Sequence, residues 1–261
     1  MPRYVMRRLF ALALGVLCVL PSCDSVPPDL GIYPRPAAGP IGRRTQQPLV
    51  AEPADVAVVF IAGFFDQPLA HMRRVYETVP PFPVPGRQFR AFYAWDSCRG
   101  SLLAHHTTRL RKDLEAFFAV NPRADLILVG HSYGGSAAMD VVRNLRGPHG
   151  RIIVATLDPV SRRGRSMPRV RAAGVDYWVN AYCYPYTTWR DTVPAVGGAW
   201  RHCPQADVNL VFDGREKDDD NKHYQHCAPL PLMTDKRNSG GVSVQDLLIR
   251  ACSELRIGEH E

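Results

Sequence analysis

The chain has 261 residues, of which 46% are hydrophobic and 22% are charged. This composition supplies enough apolar residues for a full core in one domain, and it excludes wholesale disorder. The formal net charge is +7, but the basic residues are scattered and no nucleic-acid-binding motif accompanies them. We therefore expect no nucleic-acid partner, and the charge favours contact with an anionic surface such as lipid head groups.

Residues 1–22 are typical of a signal peptide. A basic start, MPRYVMRR, precedes the apolar run Leu9–Leu20, which is too short to span a bilayer stably. The stretch Leu20–Cys23, LPSC, resembles the bacterial lipoprotein cleavage box, in which the cysteine is lipidated and becomes the first residue of the mature protein. The resemblance implies a lipid anchor on Cys23 and an exported, periplasm-facing location in a bacterial cell envelope. An ordinary secretory signal that is cut nearby is the alternative.

Proline dominates residues 23–53, which contain the stretch SVPPDLGIYPRPAAGP. Such a segment predicts an extended tether that holds a domain away from a membrane. Residues 54–261 then form the single folded domain. The apolar runs and helical patterns of that domain alternate along the chain.

Seven cysteines occur in the chain, and an exported location favours disulfide bonds between some of them. Outside the predicted signal they are Cys23, Cys98, Cys183, Cys203, Cys227 and Cys252. If Cys23 is lipidated, five remain and at least one has no intramolecular partner. If it is not, six could form three bridges, and the pairing stays open.

Short apolar runs alternate with amphipathic patterns throughout the domain. The predicted strands cover residues 55–64, 89–95, 125–131, 151–158, 175–182 and 207–213. The predicted helices cover residues 69–79, 101–120, 134–146 and 243–255. This alternation predicts an α/β fold with a mostly parallel central sheet and helices on both faces. The functional sites of such sheets lie at the carboxyl ends of the strands.

Three predicted strand ends carry residues suited to chemistry. The stretch Gly130–Gly134, GHSYG, fits the pattern G-x-S-x-G, in which a strand turns sharply into a helix and presents a serine nucleophile. The next strand ends in TLDPV, which contains Asp158, and the last is followed by a loop that contains His223 and His226. The chain order Ser, Asp, His is that of α/β-hydrolases.

A serine nucleophile needs a histidine to accept its proton and a carboxylate to orient that histidine. We predict Ser132 as the nucleophile and Asp158 as the acid. Asp191 is the alternative acid, because it follows the next strand, where many α/β-hydrolases place theirs. We predict His223 as the base, because it is nearer than His226 to the end of its strand; His226 is the alternative.

The oxyanion of an acyl-transfer intermediate needs preorganised hydrogen-bond donors. The backbone N–H of Tyr133, directly after the serine, is one predicted donor. The second is the backbone N–H of Phe64, in the loop that follows the first predicted strand.

Three stretches resemble landmarks of the pancreatic-type lipases in the α/β-hydrolase superfamily. They are FIAGFFD (Phe60–Asp66), GHSYGG (Gly130–Gly135) and TLDPV (Thr156–Val160). The resemblance implies the same serine, acid and oxyanion donors. The sequence departs from the family pattern at Ala62, where histidine is usual. It also lacks a long insertion or second domain that could serve as a lid.

The expected function is that of a secreted serine hydrolase of lipase or esterase type, which acts on an ester or lipid substrate at a membrane surface. The expected mechanism uses an acyl-enzyme and needs no cofactor and no metal. An acyltransferase, a thioesterase or an amidase could use the same three residues. A catalytically silent binding lipoprotein of the envelope is the alternative of a different class.

Overall fold

The computed structural model describes residues 52–63, 70–84, 86–93, 107–161, 169–188 and 191–254. Their strands are β1 (Val56–Ile61), β2 (Gln88–Tyr93), β3 (Asp125–His131), β4 (Ile152–Leu157), β5 (Tyr177–Cys183) and β6 (Val208–Phe212). Their helices are α1 (His71–Thr78), α2 (Thr107–Val120), α3 (Tyr133–Asn144), α4 (Thr192–Gly197), α5 (Pro229–Thr234) and α6 (Val244–Glu254).

The six strands form one sheet in the order β2-β1-β3-β4-β5-β6. Every neighbouring pair is parallel, as the sequence predicts. The chain runs outward from β1 to β2, returns to β3 and then continues in the other direction. The strand order therefore reverses between β1 and β3, and a crevice at the carboxyl ends of strands at such a reversal is where α/β folds bind their ligands.

Helices cover both faces of the sheet, which confirms the predicted architecture. Val58 and Phe60 of β1 pack in one core with residues of α1, α5 and α6. Val59 and Ile61 of the same strand point to the other face, where they pack with residues of α2 and α3. Because both faces are buried, the central strands read as continuous apolar runs rather than as alternating ones.

The two short helices α4 and α5 are not predicted from the sequence. Each has only six residues, so neither is long enough to show a helical period. Both contain proline, at Pro194 in α4 and at Pro229 and Pro231 in α5. Proline usually argues against a helix, but it is accepted in the first turn, where no intrahelical N–H bond is lost.

The described residues all belong to one structural unit, Thr45–Glu261. In these ranges no helix combines the length and the apolar character that crossing a bilayer would require. The predicted signal peptide, the predicted lipidation site Cys23 and the predicted tether up to residue 51 lie outside the described residues, as do residues 101–106 at the start of a predicted helix.

Candidate active site

Ser132 occupies a strained turn between β3 and α3. Its backbone has a φ of 55° and a ψ of −126°, a conformation that non-glycine residues rarely adopt and that is concentrated at functional sites. The turn is held against the end of β4, because the N–H of Ser132 donates to the carbonyl of Leu157 at 3.0 Å and its carbonyl accepts from the N–H of Val160 at 3.1 Å. The side chain of Ser132 therefore has a defined position at the carboxyl end of the sheet.

The glycines around Ser132 are required because other backbone passes too close for a side chain. A Cβ atom at Gly130 would overlap the carbonyl of Gly134, and one at Gly134 would overlap the carbonyl of Ile61 in β1. At Gly135 it would lie 2.7 Å from the Cβ atom of Pro159. The motif thus allows α3 to start directly beneath the turn, close to both neighbouring strands.

We expect Gly134→Ala to lower the free energy of unfolding by about 3 kcal/mol or more, because overpacking against a rigid carbonyl cannot be relieved by rotating a side chain. Gly241→Ala is the matched control. Gly241 has a φ of 62° with no atom within 4 Å of the added carbon, so this variant carries only the left-handed backbone strain of about 1 kcal/mol. Urea unfolding followed by tryptophan fluorescence measures both. Equal losses in the two variants would contradict the steric account.

Three buried side chains form a continuous hydrogen-bonded line at this end of the sheet. The Nδ1 atom of His226 lies 2.6 Å from Oδ2 of Asp158, and its Nε2 atom lies 2.9 Å from Oγ of Ser132. A carboxylate can only accept hydrogen bonds, so Nδ1 carries the proton and Nε2 is left to accept from the serine hydroxyl. The arrangement can move a proton from the serine to the imidazole while the carboxylate holds the ring.

The acid of this line is itself held by the backbone. Asp158 follows β4 with a φ of 41°, and its N–H donates to the carbonyl of Ala181 at 2.7 Å. Its Oδ1 atom accepts from the N–H of Cys183 at 3.2 Å, which leaves Oδ2 for the imidazole. The structure thus brings the predicted Ser132 and Asp158 together.

His226 occupies the place for which His223 was predicted, so that prediction is wrong. His223 is exposed and forms an antiparallel bridge with Lys217. The chain turns back on itself between them, where the N–H of Asp218 donates to the carbonyl of Lys222 at 2.7 Å. Nearness to the strand end along the chain therefore does not mean nearness in space, and the loop reaches the sheet edge only three residues later.

The alternative acid, Asp191, contacts the backbone of His226 rather than its ring. Its Oδ1 atom accepts from the N–H of His226 at 2.8 Å. Its Oδ2 atom accepts from both the N–H and the hydroxyl of Thr188, each at 2.9 Å. Asp191 is buried, and its contact is with the main chain of His226, whereas Asp158 bonds the ring.

His131, which the sequence pattern does not identify as a site residue, contacts the carbonyl side of His226. Its Nε2 atom is 2.7 Å from the carbonyl oxygen of His226, and the two rings are 5.0 Å apart. Burial lowers the pKa of His131 well below its ordinary value, and the neighbouring His226 lowers it further. The sequence feature that could have pointed to His131 is its position inside the G-x-S-x-G motif, directly before the serine.

Cys183 lies beside the acid but is no rival nucleophile. Burial raises the pKa of its thiol strongly, and the nearby carboxylates of Asp158 and Asp191 raise it further. The protonated thiol donates to the carbonyl of Tyr224 at 3.1 Å. Thiolate chemistry is therefore disfavoured at this position.

The expectation of disulfide bonds gains no support from the described part of the chain. Cys183 and Cys203 carry free thiols there, and burial raises the pKa of Cys203 to about 11. Cys23 and Cys98 lie outside the described residues. Within the same ranges, no group of three or more His, Cys, Asp or Glu side chains could hold a metal ion.

Of the two predicted oxyanion donors, Tyr133 is described and Phe64 is not. Tyr133 is the first residue of α3, where backbone amides point out of the helix N-terminus and favour negative charge. The chain after β1 passes directly against the serine, since a Cβ atom at Gly63 would lie 2.6 Å from the Cβ atom of Ser132.

No family model and no curated protein matches the chain. Among solved structures, the chain is similar to Est1E from Butyrivibrio proteoclasticus, with 11% sequence identity and a TM-score of 0.39. The similarity covers 82% of this chain and 92% of that one. The all-parallel strand order and the strained serine turn that joins β3 to α3 fit, on their own geometry, an α/β-hydrolase fold.

Proposed function

We propose that the protein is a serine hydrolase that cleaves carboxylic esters through an acyl-enzyme. The observation that carries this proposal is the hydrogen-bonded line from Asp158 through His226 to Ser132. The line has the connectivity of a serine triad: the nucleophile bonds the base, and a third group orients the base.

In the first step, Oγ of Ser132 attacks the ester carbonyl carbon while Nε2 of His226 takes the hydroxyl proton. The tetrahedral intermediate then collapses, the carbon–oxygen bond to the alcohol breaks, and the same imidazole gives its proton to the leaving alcohol. In the second step, water repeats the attack on the acyl-enzyme and releases the carboxylic acid. Asp158 keeps the imidazole in its tautomer and stabilises the imidazolium that forms in each step.

The oxyanion is stabilised in this proposal by the backbone N–H groups of Tyr133 and Phe64. The start of α3 at Tyr133 and the contact between Gly63 and Ser132 support this assignment. Losing one such donor costs about 10²–10³-fold in kcat in other enzymes.

We also propose that the enzyme works outside the cytoplasm of a bacterium, anchored through a lipid on Cys23. The basic start, the apolar run and the LPSC stretch support this location, and the net charge of +7 favours an anionic lipid surface. An ester in a membrane lipid would be presented to such an enzyme without leaving the bilayer surface.

Labelling by a fluorophosphonate tests the proposal. We expect the purified protein to be labelled at Ser132, as located by peptide mass spectrometry, and to hydrolyse p-nitrophenyl esters. Ser132→Ala should show neither reaction, because it removes the hydroxyl that bonds Nε2 of His226. A folded protein that neither reacts with the probe nor hydrolyses any ester of a short- to long-chain panel would contradict the proposal and favour the silent binding protein.

The same assay separates hydrolysis from acyl transfer. Adding a phospholipid or alcohol acceptor leaves acid release unchanged in a hydrolase, whereas an acyltransferase diverts the acyl group to the acceptor. Thioester and amide analogues of one acyl chain distinguish the thioesterase and the amidase.

A further inference from the structure

The backbone of residue 226 is bonded by side chains on both sides. Its N–H donates to Oδ1 of Asp191 at 2.8 Å, and its carbonyl lies 2.7 Å from Nε2 of His131. Both partners are almost fully buried, with exposed fractions of 1% for Asp191 and 3% for His131. They come from separate elements, the end of β3 and the residue before α4.

We propose that His131 and Asp191 are positioning residues that together hold the main chain of His226 and thereby keep its imidazole between Ser132 and Asp158. We call these two bonds the His226 clamp. The inference rests on the proposed function, since it assigns the groups that make the proposed base effective.

The need for a clamp follows from where His226 lies. It sits in an irregular turn between β6 and α5, so no strand ladder or helix sets its main chain. It is also buried, and buried backbone polar groups must find partners. The two side chains supply those partners and so fix the main-chain position from which the imidazole projects.

His131 acts as a neutral donor. A carbonyl can only accept, so the proton of His131 lies on Nε2, and its Nδ1 atom has no hydrogen-bond partner among the described residues. An apolar side chain would avoid this buried unpaired nitrogen, so the bond to His226 is the benefit that an imidazole brings here. Because burial lowers the pKa of His131, no second positive charge opposes the imidazolium that forms on His226.

The clamp also couples the base to the nucleophile. His131 directly precedes Ser132 and pairs in register with Leu157, the residue before Asp158. The adjacent carboxyl ends of β3 and β4 thus fix the positions of Ser132, Asp158 and His131. A shift of the His226 loop relative to these strand ends would break the bond to His131 before it broke any bond within the sheet.

The first arm of the test compares His131→Leu with His131→Gln. Leucine removes the donor at similar bulk, and we expect kcat to fall by about 10–100-fold with KM nearly unchanged, because a misplacement of about 1 Å can cost a factor of that size. Glutamine can place an N–H near the position of Nε2, so it should restore most of the lost kcat. A role in packing alone would predict no such rescue.

The second arm compares Asp191→Ala with Thr188→Ala. The first removes the acceptor for the N–H of His226 and should lower kcat in the same way. The second removes the Thr188 hydroxyl, which bonds Oδ2 of Asp191 and lies 3.4 Å from Oε1 of Gln225. The N–H of Thr188 still bonds Oδ2, so this variant should leave kcat near wild type. Thermal unfolding of every variant identifies any that fails to fold, and the remaining variants of the two arms then decide.

Proton NMR gives a readout that does not depend on turnover. The short Nδ1–H bond from His226 to Asp158 should give a far-downfield resonance in the wild type and in His131→Gln, and this resonance should be shifted or lost in folded His131→Leu and Asp191→Ala. An unchanged resonance and unchanged kcat in both would overturn the clamp while the esterase proposal stands. If the wild type shows the resonance but hydrolyses no ester and is not labelled, the proposed function fails, and the resonances of the variants still test the clamp.

Discussion

Replacing His226 with alanine should lower kcat for ester hydrolysis by on the order of 10⁶-fold, as loss of the base does in other serine hydrolases. His226 is the imidazole that bonds both Ser132 and Asp158, so its removal leaves the serine hydroxyl without a proton acceptor. The fluorophosphonate should then label Ser132 only very slowly, although the serine itself is intact. Steady-state kinetics with a p-nitrophenyl ester measures the loss.

His223→Ala is the matched control, because it alters the same loop three residues away. His223 is exposed and its backbone, not its ring, makes the bridge to Lys217, so we expect kcat and KM near wild type. Loss of turnover in His223→Ala with activity retained in His226→Ala would refute the assignment of the base.

Asp158→Asn should lower kcat by about 10⁴-fold, in line with the same change in a well-studied triad. The amide oxygen can still accept from the N–H of Cys183, which bonds Oδ1 in the native chain. The amide nitrogen then faces Nδ1 of His226 and donates to it. The imidazole is driven into the wrong tautomer, with its proton on Nε2, and it can no longer accept from Ser132.

Asp191→Asn decides between the two candidate acids. Its amide oxygen can still accept from the N–H of His226, the bond that Asp191 makes in the native chain, so the loss of kcat should be far smaller than in Asp158→Asn. The reverse order of effects, measured on the same ester, would make Asp191 the acid.

The parallel sheet could be predicted because its strands are buried on both faces and so appear as uninterrupted apolar runs, as in β3, where all seven residues are buried. Ser132 and Asp158 could be predicted for a related reason. Each directly follows a strand, and neighbouring parallel strands end at the same edge of the sheet. Position in the sequence therefore determines position in space for these two residues.

The position of His226, the proposed base, could not be predicted in this way, because its loop is held by contacts distant in sequence. Asp191 and His131, which bond the main chain of His226, lie 35 and 95 residues away from it in the sequence. The fold-back between Lys217 and His223 lies within an irregular loop that shows no helix or strand period. The same is true of α4 and α5, whose few residues carry too little periodicity to identify a helix.

The three residues of the proposed triad are not held by equally central parts of the sheet. Ser132 and Asp158 follow interior strands of the sheet, whereas His226 lies in the loop after β6. Of the described strands, β6 is the outermost on that side, and some of its side chains are partly exposed. Peripheral parts of a fold unfold locally at a lower free energy than the core. Heat or denaturant would accordingly inactivate such an enzyme by local unfolding around β6 while the central strands are still folded.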